Sequence, residues 1–438
     1  VKSEPSLADG LAFLERHIDL EATAGISAGH VEGLSLEPVH RLLTLLGEPQ
    51  TDMPFVHLTG TNGKGSTAML ISRLLQSHGL TVGTYSSPHV SSINERFGHN
   101  GEPITDDELA DVLATVELVA STLSDQSFRY FELLTAAAFR WFADIAVDAA
   151  VVEVGMLGRY DATNVVDARV AVITNVGLDH TDGAPGWRER VAREKAGIVK
   201  PGATLVLGET STELRPIFMA EPAGEVLVRG EDFALTDNRL AVGGRLVSVR
   251  TPRAAYDDVF LSLHGPHQAM NAALALTAAE AFLGTELDDE VVEGAFAAAK
   301  LPGRFEIVHR QPLVVLDGAH NPDGARAAAA TMAEDFAHGG RHFLVMGMLR
   351  GRDPIAMFDA LRASDADLVL ACTPPSPRAL PADDLAAIGR AHGVPIEAAG
   401  TPTEAIERAL MLVDDGDAIF VVGSLYIAGE VRNHLVDP

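Results

Sequence analysis

Residues 54–79, PFVHLTGTNGKGSTAMLISRLLQSHG, run from a short apolar stretch through a glycine-rich turn into a segment of helical spacing that ends on glycine. The first part reads as a buried strand and the last as a helix. A strand that passes to a helix through a tight loop belongs to a parallel sheet with helices on its faces, so this junction restricts the fold strongly. It restricts the chemistry too. Backbone N–H groups from Gly60 through Thr61, Asn62, Gly63 and Lys64 to Gly65 would form an anion nest at the helix start, with the Lys64 amine reaching the outer phosphates of a nucleotide. In the usual loop, Gly-Lys is followed by Ser or Thr, whose hydroxyl holds the Mg²⁺ that bridges the phosphates. Gly65 has no hydroxyl, so another one must reach the metal.

The rest of the chain continues the alternation. LTVGTYSS, VDAAVVEVG and ARVAVITNVG read as strands, and ITDDELADVLATVELVAST and FRYFELLTAAAFRWFADI as amphipathic helices. Between about Gly224 and Gly265 the texture changes to short β-like runs, EVLVRG, DFALTDNRLAVGG and RLVSVRT, which predict an antiparallel insertion. LPGRFEIVHRQP breaks the pattern with a Pro-Gly pair and marks a domain boundary. Strand and helix alternation then restarts at LVVLDG. The expected fold is α/β. A doubly wound parallel sheet with a phosphate loop, N-terminal helices and a small β insertion spans 1–300, and a smaller Rossmann-like domain spans 301–438. A chain of 438 residues is long enough for two such cores.

Charge excludes one class of partner. With 33 Lys+Arg against 61 Asp+Glu the net charge is -28, which repels nucleic acid and leaves phosphate binding to a local loop. No run of apolar residues reaches membrane-spanning length, and VKSEPSLADG lacks the apolar core of a secretion signal. The single cysteine, Cys372, excludes an internal disulfide. A cytoplasmic, monomeric enzyme acting on small molecules is expected. Only Lys2, Lys64, Lys195, Lys200 and Lys300 are lysines in an otherwise arginine-using chain. Lysine can shed its proton and arginine cannot, so a retained lysine marks a possible need for an amine.

Ligands of α/β folds gather at strand C-terminal ends. The first sheet offers Ser86 and Ser87 after TY, Glu153 at the end of VVE, and Asp179 and His180 after ITNVGL; carboxylate and imidazole suit a divalent metal near phosphates. The second offers Asp317, His320 and Asn321, suited to sugar hydroxyls or an amino acid, or to an Asx turn capping the next helix. Lys195 lies in REKAGIVKPG at the end of a helix.

In order along the chain, GTNGKGST, YSSPH, NERF, FELLTAAAF, EVGMLGRYDATNVV, ITNVGLDH, EKAGIVKPG, GPHQAMNAALAL, LPGRFE, LDGAHNPDGA and GSLYIAGEVR resemble the folylpolyglutamate synthase and dihydrofolate synthase family of ATP-dependent Mur ligases. The resemblance implies ATP held by the Gly60–Ser66 loop, Ser87 and Glu153 as ligands of one Mg²⁺, and His180 at a second. It also implies a CO₂-derived carbamate on Lys195 that helps to organise the second metal. Gln268 and Asn271 would lie near adenine, Arg304 at the phosphates, and Asp317 and His320 at ribose and the reacting groups, with Ser424 helping to hold glutamate. The implied substrates are dihydropteroate or a reduced folate, L-glutamate and ATP. A Mur-type ligase acting on a cell-wall nucleotide, or an ATPase that makes no amide, are the alternatives. The chain departs from the family pattern at Met156, Leu157 and Tyr160, and at Arg350 and Arg352 in GMLRGRDP. Both departures leave the choice of pterin substrate open.

Overall fold

The computed structural model describes residues 5–20, 28, 34–123, 127–179, 181, 183–336 and 339–436. The first sheet is built from β1 (Phe55–Thr59), β2 (Val82–Tyr85), β3 (Phe97–His99), β4 (Glu102–Pro103), β5 (Ala149–Glu153), β6 (Val170–Ile173), β7 (Thr204–Leu207) and β8 (Glu225–Val228). Its order is β4-β3-β2-β5-β1-β6-β7-β8, with parallel pairing from β2 to β8 and antiparallel pairing of β3 with β2 and with β4. Because β5 enters between β2 and β1 while β6 lies on the other flank of β1, the chain reverses direction around β1. The crevice at such a reversal opens at the strand C-terminal ends.

Side chains alternate across β1. Val56 and Leu58 join a core with helices Lys64–Ser77 and Pro266–Leu283, whereas Phe55 joins the opposite core with helices Asp106–Ala120 and Tyr130–Asp144. A strand buried on both faces reads as a continuous apolar run, which is what FVHLT shows apart from the buried His57 and Thr59. Each fully buried Leu or Phe in these cores stabilises the fold by roughly 1.5–3 kcal/mol.

A separate three-stranded antiparallel sheet, β9 (Ala234–Ala241), β10 (Gly244–Arg250) and β11 (Ala255–Leu261), forms the insertion. EVLVRG, expected within it, is instead β8, the parallel edge strand of the main sheet. As an edge strand it is exposed at Glu225 and buried only at Leu227 and Val228, so it lacks the apolar run that marks the interior strands.

The second sheet contains β12 (Arg304–Arg310), β13 (Leu313–Asp317), β14 (His342–Met346), β15 (Leu368–Ala371), β16 (Ile396–Ala398) and β17 (Ala418–Val422), in the order β12-β13-β17-β14-β15-β16. All pairings are parallel except that of β12 with β13. Here too the sequence misleads, since RFEIVHR in the supposed break is β12. Being half-buried at the edge, it carries charge along one side. Among the described residues no helix is long and apolar enough to cross a membrane.

Candidate functional site at the facing strand ends

The loop after β1 starts helix Lys64–Ser77 through Gly63, whose φ is 83° and whose absent Cβ would fall 2.5 Å from Asn271 Oδ1. Only glycine meets both conditions. The amides of Lys64, Gly65 and Ser66 open the helix without intrahelical acceptors and carry the positive end of its dipole. The nest is shorter than the sequence suggested. Thr61 N donates to Asn175 O at 3.1 Å and Asn62 N to Asn175 Oδ1 at 3.0 Å, so these two amides anchor the loop to the exit of β6 and are already occupied. Lys64 Nζ donates to Gly60 O at 3.2 Å and lies 3.8 Å from Glu153 Oε1 at the end of β5. Ser87 N, in the loop after β2, donates to Glu153 Oε2 at 3.4 Å. Three strand ends thus bring together a lysine, a carboxylate and a hydroxyl. Gln268 and Asn271 are buried on helix Pro266–Leu283 and bonded to each other at 3.0 Å, with Asn271 against the loop.

Lys195 lies near the end of helix Trp187–Ala196 and is 2% exposed. Burial, and next the Lys64 charge, hold its amine well below the usual lysine range against the opposing pull of Asp179. A neutral amine is the form that adds CO₂. His180 lies outside the described residues. Asp179, a candidate for metal binding, is occupied otherwise: the Arg352 guanidinium bonds its Oδ1, and His320 Nε2 lies 3.4 Å from its Oδ2. Both partners come from loops of the second domain, His320 after β13 and Arg352 after β14. Among the described residues no group of three or more His, Cys, Asp or Glu side chains is placed to hold a metal. A divalent ion at this edge needs other oxygens, and the Ser87 hydroxyl with the Glu153 carboxylate fits that need.

The second sheet presents its own strand ends to the same space. Arg304 at the start of β12 pairs in register with Asp317 at the end of β13. Burial raises the Asp317 carboxyl above its ordinary range, countered by Arg304 and by the amides of Ala319 at 2.8 Å and Phe305 at 3.2 Å. His320 Nδ1 donates to Gly318 O at 2.9 Å. Asn321 caps helix Pro322–Asp335 through Gly324 N at 2.8 Å and exchanges two amide hydrogen bonds with Asn62 of the phosphate loop, at 2.9 and 3.3 Å. Ser424, after β17, caps helix Leu425–Leu435 by accepting from Tyr426 N at 3.2 Å.

Between the two edges lies a cavity of about 400 Å³ lined by Ser87, Met156, Asp179, His320, Arg352, Arg378 and Ser424, among others. Gln268, Asn271, Arg304 and Asp317 do not line it. Arg378 was missed by sequence reasoning, although it lies in the loop that leaves β15 at the sheet's ligand edge; the surrounding TPPSPR resembles a plain turn. Burial and the neighbouring Arg352 lower its pKa. A second, smaller cavity of about 40 Å³ is lined by Arg129, Phe131, Glu132, Met156, Tyr160 and Asp161, with burial raising both carboxyls. Met156 and Leu20 border both cavities.

Comparison with known proteins places these features in context. The Mur ligase middle domain matches residues 58–279, and the glutamate ligase domain of Mur ligases matches residues 303–425. The chain is 37% identical to the dihydrofolate synthase/folylpolyglutamate synthase of Mycobacterium tuberculosis, with 91% of this chain and 89% of that protein covered. A structure of Mycobacterium tuberculosis folylpolyglutamate synthase complexed with ADP superposes with a TM-score of 0.91 at 35% identity over 98% of both chains. A bifunctional folylpolyglutamate synthase/dihydrofolate synthase with Mn, AMPPNP and L-glutamate bound superposes with a TM-score of 0.84 at 30% identity, again over 98% of both chains.

Proposed function

This chain belongs to the dihydrofolate synthase/folylpolyglutamate synthase family of Mur ligases, and from that premise we propose how its residues join L-glutamate to a pteroate or folate carboxylate. It is an ATP-dependent ligase that forms an amide bond. The observation that carries the reading is the meeting of two strand-end edges across one cavity, with Ser87, Met156 and Asp179 of the first domain on one side and His320, Arg352, Arg378 and Ser424 of the second on the other, while Asn321 of the second domain bonds Asn62 of the phosphate loop beside it.

In this reading residues 1–300 bind ATP and residues 301–438 deliver glutamate. A carboxylate oxygen of the folate attacks the γ-phosphorus, the β–γ bridge breaks, and ADP leaves an acyl phosphate. The glutamate amine then attacks the acyl carbon and phosphate departs. Positioning and charge neutralisation do most of the work. Lys64 and the helix amides hold the phosphates, Gln268 and Asn271 back the nucleotide, and Arg304 and Asp317 complete its site from the second domain. Ser87 and Glu153 would hold one Mg²⁺, and His180 with a carbamate on Lys195 a second; such ions supply charge neutralisation at the phosphoryl oxygens. His320, set against Asp179, is the group best placed to take the proton lost by the incoming amine.

Glutamate brings two carboxylates into a cavity where two guanidiniums lie close together. That is a favourable exchange, because charge-assisted bonds to carboxylates contribute about 1.5–3 kcal/mol each. Arg378→Ala is therefore expected to raise the KM for glutamate about 10- to 100-fold with little change in the KM for ATP. Steady-state kinetics with each substrate varied checks this, and an unchanged glutamate KM refutes the assignment. The pteroate end would extend past Met156 toward the smaller cavity, where Phe131 offers a ring face and Glu132 and Asp161 offer acceptors.

The activity itself is tested by incubating the protein with ATP, Mg²⁺, glutamate and either dihydropteroate or tetrahydrofolate. The expected product is heavier by one glutamyl residue, with ADP formed in equal amount, and both acceptors are expected to react. ADP release without an amide would mark an ATPase instead. A monomer working in the cytoplasm completes the reading.

A further inference from the structure

Arg245 is one of the largest fully buried side chains, yet it belongs to the small antiparallel insertion rather than to either main core. Its guanidinium makes three short contacts: Nε to Asn238 Oδ1 at 2.6 Å, Nη1 to Asp335 Oδ1 at 2.6 Å and Nη2 to Glu334 Oε1 at 2.7 Å. Asn238 lies on the neighbouring strand β9, whereas Glu334 and Asp335 end helix Pro322–Asp335 of the second domain. The other oxygen of Asp335 accepts from Gly265 N at 2.8 Å, and His264 packs on Phe336 with ring centroids 4.6 Å apart. These contacts all fasten the far end of that helix to the first domain.

The near end of the same helix is fastened as well. Asn321, its cap, exchanges amide hydrogen bonds with Asn62 of the phosphate loop, and Asp323 Oδ2 accepts from Leu178 N at 3.4 Å. A helix of 14 residues is about 20 Å long. One attachment would leave the second domain free to pivot about it, whereas attachments at both ends of a rigid rod remove that rotation. Arg245 cannot remain desolvated without Asp335 and Glu334, since a buried guanidinium without its carboxylates is strongly disfavoured. The buried state of Arg245 is thus tied to one placement of the second domain.

We propose that Arg245 is a positioning residue for the ligation. By clamping the C-terminal end of helix Pro322–Asp335, it holds the second domain where His320, Asn321 and the cavity arginines meet the phosphate loop. The proposal rests on the ligase reading for its effect on turnover, but not for its effect on domain placement. Arg245 touches neither of the two cavities, so it acts through the helix.

The test uses the full chain with spin labels on Leu118→Cys and Met411→Cys, both well exposed and on different domains; the native Cys372 is buried. Pulsed electron resonance should give one narrow distance distribution for the parent and a broadened or displaced one for Arg245→Gln. Arg245→Lys, which keeps the charge but not the planar fork, should recover part of the narrowing. In parallel, kcat for amide formation should fall about 100-fold in Arg245→Gln, as a misplaced reacting group requires. An unchanged distribution, or lost turnover with an unchanged distribution, overturns the proposal. If Arg245→Gln fails to fold, Glu334→Gln removes one of the three bonds and should broaden the distribution in the same sense; no broadening there overturns the proposal equally. A parent enzyme that makes no amide would refute the ligase reading, while the distances would still decide the clamp.

Discussion

Replacing Lys195 by alanine or by arginine is expected to lower amide formation by about a hundred- to a thousandfold, comparable to removing one group that stabilises developing charge. The physical reason is the state of the amine. Lys195 is buried, and burial with the nearby Lys64 charge favours the neutral form, which can add CO₂ reversibly and become an anion suited to a divalent metal. Arginine keeps its proton and cannot follow. A surface ion pair would tolerate Lys195→Arg, so that variant separates the two readings. Acetate or formate should partly restore Lys195→Ala by supplying the missing carboxylate, and should do nothing for Lys195→Arg, where the side chain fills the space.

The sign of the stability effect gives an independent check. An unfolded lysine holds its proton up to about pH 10.4, whereas the folded amine has a lowered pKa, so below the unfolded value folding works against protonation of this group. This term opposes folding and weakens as pH rises toward the unfolded value. Lys195→Met, similar in size but without the amine, should therefore lose activity while its thermal midpoint at neutral pH stays level or rises. A midpoint that drops with the activity would assign the loss to misfolding. Mass or density evidence for an unmodified amine in active, CO₂-equilibrated enzyme would refute the carbamate even if the variants were inactive.

Much of this site could be read in the sequence because strand ends announce themselves. Glu153 closes the apolar run AAVVE, Asp317 closes LVVLD, and the loop of Gly60 to Ser66 follows FVHLT. Interior strands of a parallel sheet are continuous apolar runs, and whatever follows them lies on the ligand edge. Edge strands have no such run, which is why β8 reads as part of the insertion and β12 as a break in the alternation at the domain boundary. What could not be read is how the edges face each other. Asp179 looked like a metal ligand because it is a carboxylate at a strand end, yet it meets Arg352 from a segment 173 residues away. Asn62 and Asn321, 259 residues apart, form a pair that neither local pattern predicts. Arg245 gave no signal at all: in GGRLVSV it reads as the exposed position of an alternating strand, and its two carboxylate partners, Glu334 and Asp335, come from the second domain.

Removing the Ser87 hydroxyl is expected to lower turnover at limiting Mg²⁺ by about a hundredfold, while Ser66→Ala costs only a few-fold. Ser87 sits in the loop after β2 with its amide on Glu153 at the end of β5, so a cation held by the Glu153 carboxylate would have the Ser87 residue beside it. Ser66 is buried in the first turn of its helix and lines neither cavity. Raised Mg²⁺ should partly rescue Ser87→Ala, because the loss is one of metal affinity. Glu153→Gln should be worse and resist rescue, since it also frees the Lys64 amine from its carboxylate 3.8 Å away. Gly65→Ser offers the decisive contrast. It restores the hydroxyl of the usual phosphate loop, but its Cβ would lie 3.3 Å from Glu153 Oε2, tighter than ordinary contact and against the group that holds the metal. The added hydroxyl should therefore fail to rescue Ser87→Ala and should impair the parent by displacing Glu153. The glycine at 65 and the serine at 87 are then two halves of one arrangement, in which the carboxylate occupies the space that a side chain at 65 would take. Full rescue of Ser87→Ala by Gly65→Ser, measured as turnover against Mg²⁺ concentration, or equal losses from Ser66→Ala and Ser87→Ala, would return the metal to the helix start and remove Ser87 from the site.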